Sequence, residues 1–177
     1  MILEDQVILV DEFDNEIGSA GKLQAHIDGL LHRAFSIFLF NESGEMLLQR
    51  RSLEKYHSAG LWTNTCCSHP RPGERIEQAA TRRLQEEMGL YSHLTPLYTF
   101  TYRSEVGRGL IEHELDHVFT GITDAEPNPN SEEVMAFKYV SINDLIREVA
   151  IAPSEYTAWF KITLDTLLYH HHKLQLS

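Results

Sequence analysis

One amphipathic helix, set between two groups of strand-like segments, limits what this chain can fold into more than any other feature. Residues 74–88 place Ile76, Ala79, Ala80, Leu84 and Met88 at helical spacing, and Gly89 supplies a stop. Before the helix, AFSIFLFNESGEMLLQRR reads as a hairpin. Residues 34–40 are aromatic and apolar, residues 41–44 are turn chemistry, and residues 46–51 form the return strand. QVILVDEFDNEIG reads as an earlier strand followed by an acidic turn at Asp14-Asn15. After the helix, residues 97–103 and 111–120 form two strands around a turn at residues 107–109, and residues 137–140 form another. Ser141 to Asp144 resembles an N-cap for a helix over residues 145–150, and residues 153–168 form a longer one. Strands, one helix, more strands, then helices describe an α+β fold, with a mixed sheet between helices. The 177 residues, 42% of them hydrophobic, suit a single domain spanning residues 1–177.

Charge and cysteine usage narrow the function. With 15 basic and 26 acidic residues the formal charge is −11, which argues against nucleic acid as a partner but allows a local basic pocket for an anion. No apolar run is long enough to cross a membrane. The acidic N-terminal stretch lacks the basic start and small-residue cleavage site of a secretory signal. Cys66 and Cys67 are adjacent, a strained geometry for a mutual disulfide, so free thiols in a reducing cytoplasm are the expectation. In an extended TNTCCSHP, Cys67 and His69 point the same way and Cys66 the other. His170, His171 and His172 read as surface residues near a helix end, with no assigned role.

Two clusters carry possible chemistry. Glu112, Glu114 and Asp116 alternate along one strand and share a face. Such a row is either solvated or neutralised by a cation, and His26, His32 and His69 are candidates to complete a divalent site. On the helix, Arg82 and Glu86, and Arg83 and Glu87, are spaced i, i+4. They are either surface pairs or, with Arg50, Arg51 and Lys55, part of an anion pocket.

The pattern from Ser68 through Glu74, Arg82-Arg83-Leu84, Glu86-Glu87 and Gly89-Leu90 resembles a degenerate Nudix box. Ser68 stands where the box has glycine, and Arg83 where it has an acidic residue. The second departure is shared by the type 1 isopentenyl-diphosphate isomerases. The chain resembles these in LHRAFSIFLFNESGEMLLQRR, LWTNTCCSHP, RRLQEEMGL, LYTFTYR, EHELDHVF and the Trp159 region.

That resemblance implies a Nudix-like mixed sheet sandwiched between helices and interconversion of isopentenyl and dimethylallyl diphosphate. Cys67 resembles the catalytic cysteine, Glu114 the catalytic carboxylate, Tyr102 its support, and Trp159 the aromatic facing the isoprenoid. His26, His32, His69, Glu112 and Glu114 resemble the ligands of a tightly bound metal, which could be Mn²⁺, Mg²⁺ or Zn²⁺. Glu87 resembles the residue holding a Mg²⁺ that bridges the diphosphate, and Lys22, Arg51, Lys55 and Arg83 resemble the diphosphate contacts. The expected partner is a small isoprenoid diphosphate, with neither nucleic acid nor membrane, and the expected oligomeric state is a monomer. Two other readings compete: a Nudix hydrolase of a nucleoside diphosphate derivative, which has no need of Cys67 or Arg83, and a metal-binding or redox module built on the two cysteines.

Overall fold

The central element is β3 (His32–Phe40), whose residues are nearly all buried. Its parallel neighbour is β8 (Ile111–Ile122), in register from His32 opposite Glu114 to Phe40 opposite Ile122. A strand covered on both faces reads as a continuous apolar run, which is how residues 34–40 appear in the sequence. The computed structural model describes residues 5–175.

The expected hairpin is only partly formed. β3 meets β4 (Met46–Arg51) at one position, Phe40 opposite Met46, and the strands then separate. β4 pairs instead with β9 (Val134–Val140), which begins earlier than the sequence pattern indicates. Pairing with distant strands, β8 for β3 and β9 for β4, overrides the local turn.

A strap spans the resulting gap. Residues 52–72 carry two short strands, β5 (Trp62–Thr63) and β6 (Cys66–Ser68). β5 pairs with β4 through Gln49 and Arg50, whereas β6 pairs with β3 through Phe35, Ser36 and Ile37. Side chains fasten the strap where its backbone turns. The Thr65 hydroxyl donates to the Leu47 carbonyl at 2.7 Å and accepts the Leu39 N–H at 2.9 Å. The Asn64 amide donates to the carbonyls of Ile37 and Cys66 at 3.2 and 2.7 Å.

The N-terminal strand β1 (Gln6–Val10) is as expected, but it pairs with a second strand, β2 (Glu16–Gly21). A short helix, α1 (Lys22–Asp28), then leads to β3. The box helix is α2 (Ile76–Met88), and its buried Ala79, Ala80, Leu84 and Met88 pack on Phe35, Ile37, Leu39 and Cys66. Gly89 closes it at φ 65°, where a Cβ would stand 2.5 Å from the Asn128 carbonyl oxygen, so both conformation and space require glycine.

The opposite face of β3 is covered by α4 (Ala158–Gln175), with Phe38, Phe40 and Val118 against Trp159, Phe160 and Leu164. A 3₁₀ turn, Pro153–Glu155, precedes α4, so residues 153–168 are not one continuous helix. α4 runs far enough across the sheet for His170 to stack on Tyr98 at 4.8 Å and His171 on Phe40 at 3.7 Å, so these two are half-buried, while His172 is exposed as expected. β7 (Thr95–Glu105) extends the sheet beyond β8, and α3 (Ile142–Ile151) is capped by Ser141, whose hydroxyl accepts the Asp144 N–H. Among the described residues no helix is long and apolar enough to cross a membrane.

Candidate active site

Four elements bring the histidines and carboxylates together. α1 carries His26, the first residue of β3 is His32, the strap ends at His69, and β8 presents Glu112 and Glu114. His26, His32, His69 and Glu114 each offer a donor atom within 4.8 Å of the others. His69 Nε2 lies 2.8 Å from Glu114 Oε1 and 3.2 Å from His32 Nε2. Glu112, expected in the same set, groups instead with His26 and with His57, a histidine that no sequence pattern singles out.

The ring nitrogens are oriented for ligation. His26 Nδ1–H donates to the Lys22 carbonyl at 2.7 Å and His32 Nδ1–H to the Leu30 carbonyl at 2.8 Å, which turns both Nε2 lone pairs toward the cluster, that of His32 facing His69 Nε2. His26 Nε2 is buried with no hydrogen-bond partner among the described residues. Burial lowers the pKa of His26, and that of His69 to about 3, so these rings are neutral donors. A cluster of neutral nitrogens and carboxylate oxygens, with one donor left unsatisfied in the interior, fits a divalent cation.

The carboxylate row is buried, not solvated: Glu112 is 4% exposed, Glu114 6% and Asp116 1%. Asp116 sits apart and accepts the Ser36 hydroxyl at 2.7 Å. The Tyr102 hydroxyl lies 2.7 Å from Glu112 Oε2 and 2.6 Å from Glu114 Oε2. It can donate to only one of them, so the other must bring a proton of its own. Burial, and then the Glu114 charge, raise the Glu112 carboxyl well above its ordinary range. Burial also raises Glu114, but the neighbouring His32 and His69, the latter donating from Nε2 at 2.8 Å, outweigh it and hold that carboxyl well below. The consistent arrangement is Glu112 protonated and donating to Tyr102, with Tyr102 donating to ionised Glu114.

Cys67 and Glu114 line the same cleft, of about 480 Å³. The Cys67 thiol is pushed up strongly by burial, so it carries its proton. Cys66 faces the α2 side and is fully buried there, as alternation along the strap predicts. Trp159 forms another wall. Its indole N–H donates to Asn64 Oδ1 at 3.2 Å, and the Arg51 guanidinium stands 5.3 Å from its ring.

The basic residues gather at the other end of the cleft, where Lys22, Arg51, Lys55 and Arg83 all line it. Arg51, Lys55 and Arg83 are already engaged. Arg83 Nη2 donates to Glu87 Oε1 at 2.6 Å and to Glu133 Oε1 at 3.1 Å, and Glu133 also pairs with Lys55. Glu87 Oε2 accepts from Gln49 at 2.9 Å. Although burial raises the Glu133 carboxyl, Lys55 and Arg83 hold it down to about 2. Arg51 donates to the backbone carbonyls of Ser58 and His57, both at 3.2 Å. Arg82, by contrast, forks onto Glu74 at 2.7 and 2.8 Å and serves the helix rather than the cleft. Glu133 is the second participant that no sequence pattern marks, since no spacing in the chain links it to Lys55 or Arg83.

Comparison with known proteins agrees with this geometry. The NUDIX domain family matches residues 30–160. An isopentenyl-diphosphate Delta-isomerase of Pectobacterium atrosepticum is 52% identical, covering 89% of this chain and 88% of the relative. The isopentenyl-diphosphate Delta-isomerase 2 of Aromatoleum aromaticum is 51% identical over 94% of this chain and 88% of its own length. Among solved structures, a Deinococcus radiodurans protein aligns with TM-score 0.67 at 19% identity, covering 83% of this chain and 90% of that one. A NUDIX hydrolase from Nitrosomonas europaea aligns with TM-score 0.58 at 17% identity, over 79% and 88% of the two chains. The structural likenesses speak to the fold alone.

Proposed function

The chain belongs to the NUDIX-domain isopentenyl-diphosphate Delta-isomerases, and from that premise we propose how its cleft divides the work of the reaction. The enzyme interconverts isopentenyl and dimethylallyl diphosphate. A proton is added at one carbon and another is removed two carbons away, through a centre with tertiary carbocation character. The site therefore needs one group that holds a proton and one that can accept it, on opposite sides of the bound alkene.

The observation that carries the assignment is that two such groups line one cleft in opposite protonation states. Cys67 keeps its thiol proton, and Glu114 is ionised at the end of the Glu112–Tyr102 chain. One of them donates while the other accepts, and the return direction swaps the roles. Each turnover leaves the thiol proton on the product and a substrate proton on Glu114, and exchange with solvent after product leaves resets both groups, while Tyr102 keeps Glu114 oriented. Trp159 presents its ring face to the developing cation, a contact worth about 2 kcal/mol or more when water is excluded. Exclusion of water matters because a carbocation would otherwise be captured as an alcohol.

His26, His32, His69 and Glu114 would hold a divalent metal, with Glu112 beside them, and Mn²⁺, Mg²⁺ and Zn²⁺ all suit the donor set. When bound, the cation neutralises the carboxylate pair and biases where its proton resides. At the other end, Lys22, Arg51, Lys55 and Arg83 are the diphosphate contacts, and Glu87 would hold a Mg²⁺ shared with the diphosphate. Remote binding energy from this end drives closure over the reacting carbons. We read the protein as a single-domain monomer acting in the cytoplasm, where its two adjacent free thiols suit a reducing compartment.

NMR observation of isopentenyl diphosphate incubated with the protein tests the reading. Conversion to dimethylallyl diphosphate that stops on addition of chelator is expected. Phosphate released from nucleotides, with no isomerisation, would overturn it.

A further inference from the structure

His57 lies between the two ends of the cleft and is used by neither of the roles above. It is 7% exposed, so the fold gives it a fixed environment. Its Nε2 stands 3.2 Å from Glu112 Oε1, the oxygen of Glu112 that Tyr102 does not occupy. Its Nδ1 stands 3.3 Å from the Ser58 hydroxyl. A neutral ring satisfies both partners at once, with Nε2–H donating to Glu112 Oε1, the oxygen without the proton, and Nδ1 accepting from the serine. The ring also stacks on His26 at 5.5 Å and meets Trp159 edge-on at 6.1 Å.

The backbone around His57 is held in an unusual way. Ser58 has φ 50°, the left-handed region that a residue with a side chain enters at a cost. Arg51 takes the carbonyls of both His57 and Ser58, so a diphosphate-contact residue keeps that turn in place.

We propose that His57 is a positioning residue for the metal site, donating from Nε2 to Glu112 Oε1 and so fixing the carboxylate beside His26. The inference rests on the metal reading given above. Outer hydrogen bonds of this kind set the angle and basicity of metal-bound carboxylates, and their loss lowers metal affinity by about 10- to 100-fold. Because Arg51 anchors the same turn, His57 also connects the cationic end of the cleft to the metal end.

The test is titration of metal-stripped protein with Mn²⁺, read by calorimetry, for wild type, His57→Ala, His57→Gln and His32→Ala, with thermal unfolding of each metal-free protein. His57→Ala is expected to weaken Mn²⁺ binding about 10- to 100-fold. His57→Gln, which keeps an N–H donor of similar reach, should restore most of it, and metal-free unfolding temperatures should stay within a few degrees. Wild-type affinity in His57→Ala, or a loss in His57→Gln as large as in His57→Ala, overturns the proposal. Should His57→Ala not fold, His57→Leu replaces it, since leucine keeps bulk without a donor. If His32→Ala binds Mn²⁺ as tightly as wild type, the metal reading itself fails. If His32→Ala loses binding and His57→Ala does not, only the role of His57 fails.

Discussion

The two ends of the cleft are prepared in opposite ways. At the histidine end, four donor atoms converge within 4.8 Å of one another, and His26 Nε2 and His69 Nδ1 have no hydrogen-bond partner among the described residues. At the cationic end two of the cations are already matched, with Arg83 and Lys55 sharing Glu133 and Arg83 also facing Glu87. The first end gains by taking in a cation, because buried polar groups are costly when unpaired. The second end must exchange a protein carboxylate for a phosphate oxygen, so its net gain is a difference between two similar interactions. Metal binding is thus expected to be tight, and diphosphate binding more modest and easily tuned.

Changes at the histidine end should have the largest effect. His32→Ala removes a proposed ligand held on the first residue of β3 and should weaken divalent-metal binding by more than about 100-fold, beyond the range expected for residues that only orient ligands. Activity should fall with it, and metal titration beside a turnover assay checks both. An intermediate effect is expected from the apolar wall that joins the ends. Trp159→Leu keeps bulk but loses the ring face, and about 2 kcal/mol of lost cation stabilisation corresponds to roughly a 30-fold lower kcat. A change confined to KM would instead make Trp159 a binding surface.

Effects at the cationic end should be smaller and of opposite sign. Glu133→Gln releases Lys55 and Arg83 from a competing carboxylate, so KM should fall several-fold with kcat little changed. A raised KM would mean that Glu133 orients these cations rather than competes for them. The same variant has a signature in acid. Glu133 is held at about 2 against an ordinary 4.5, so the stability from its pairs is fully present above pH 4.5 and lost as pH falls through 2. Wild type should therefore lose its stability advantage over Glu133→Gln in that window, as measured by denaturant unfolding at a series of pH values.

The cleft's two ends are also unequally legible in the sequence. The strand of Glu112, Glu114 and Asp116 and the helix of Arg83 and Glu87 are long and periodic, so the spacing of their residues alone reveals which side chains share a face. Periodicity shows the shared face but not its burial, which depends on Tyr102 of β7 and the strap closing over it. β5 and β6 have two and three residues, too few for any period to show, although TNTCCSHP points to Cys67 and His69. α1 has seven residues and no acidic first turn, so the sequence offers His26 as a ligand without revealing the helix that carries it. The hairpin pattern misleads because a good local turn says nothing about pairing beyond it, and β3 has a better partner in β8. Glu133 and His57 escape sequence reasoning because their partners lie far away in the chain, and no motif flags such contacts.

Proton exchange in D₂O tests the central claim most directly, that Cys67 and Glu114 carry the two proton transfers from opposite sides of the alkene. Isopentenyl diphosphate is incubated with wild type, Cys67→Ala and Glu114→Gln, and NMR follows both conversion and deuterium entry at each carbon. Wild type should convert substrate and incorporate solvent deuterium, and each variant should lose about 10²- to 10⁴-fold in conversion while remaining folded. Near-normal conversion by either variant would contradict the assignment of that residue and, with it, the two-sided account of the cleft.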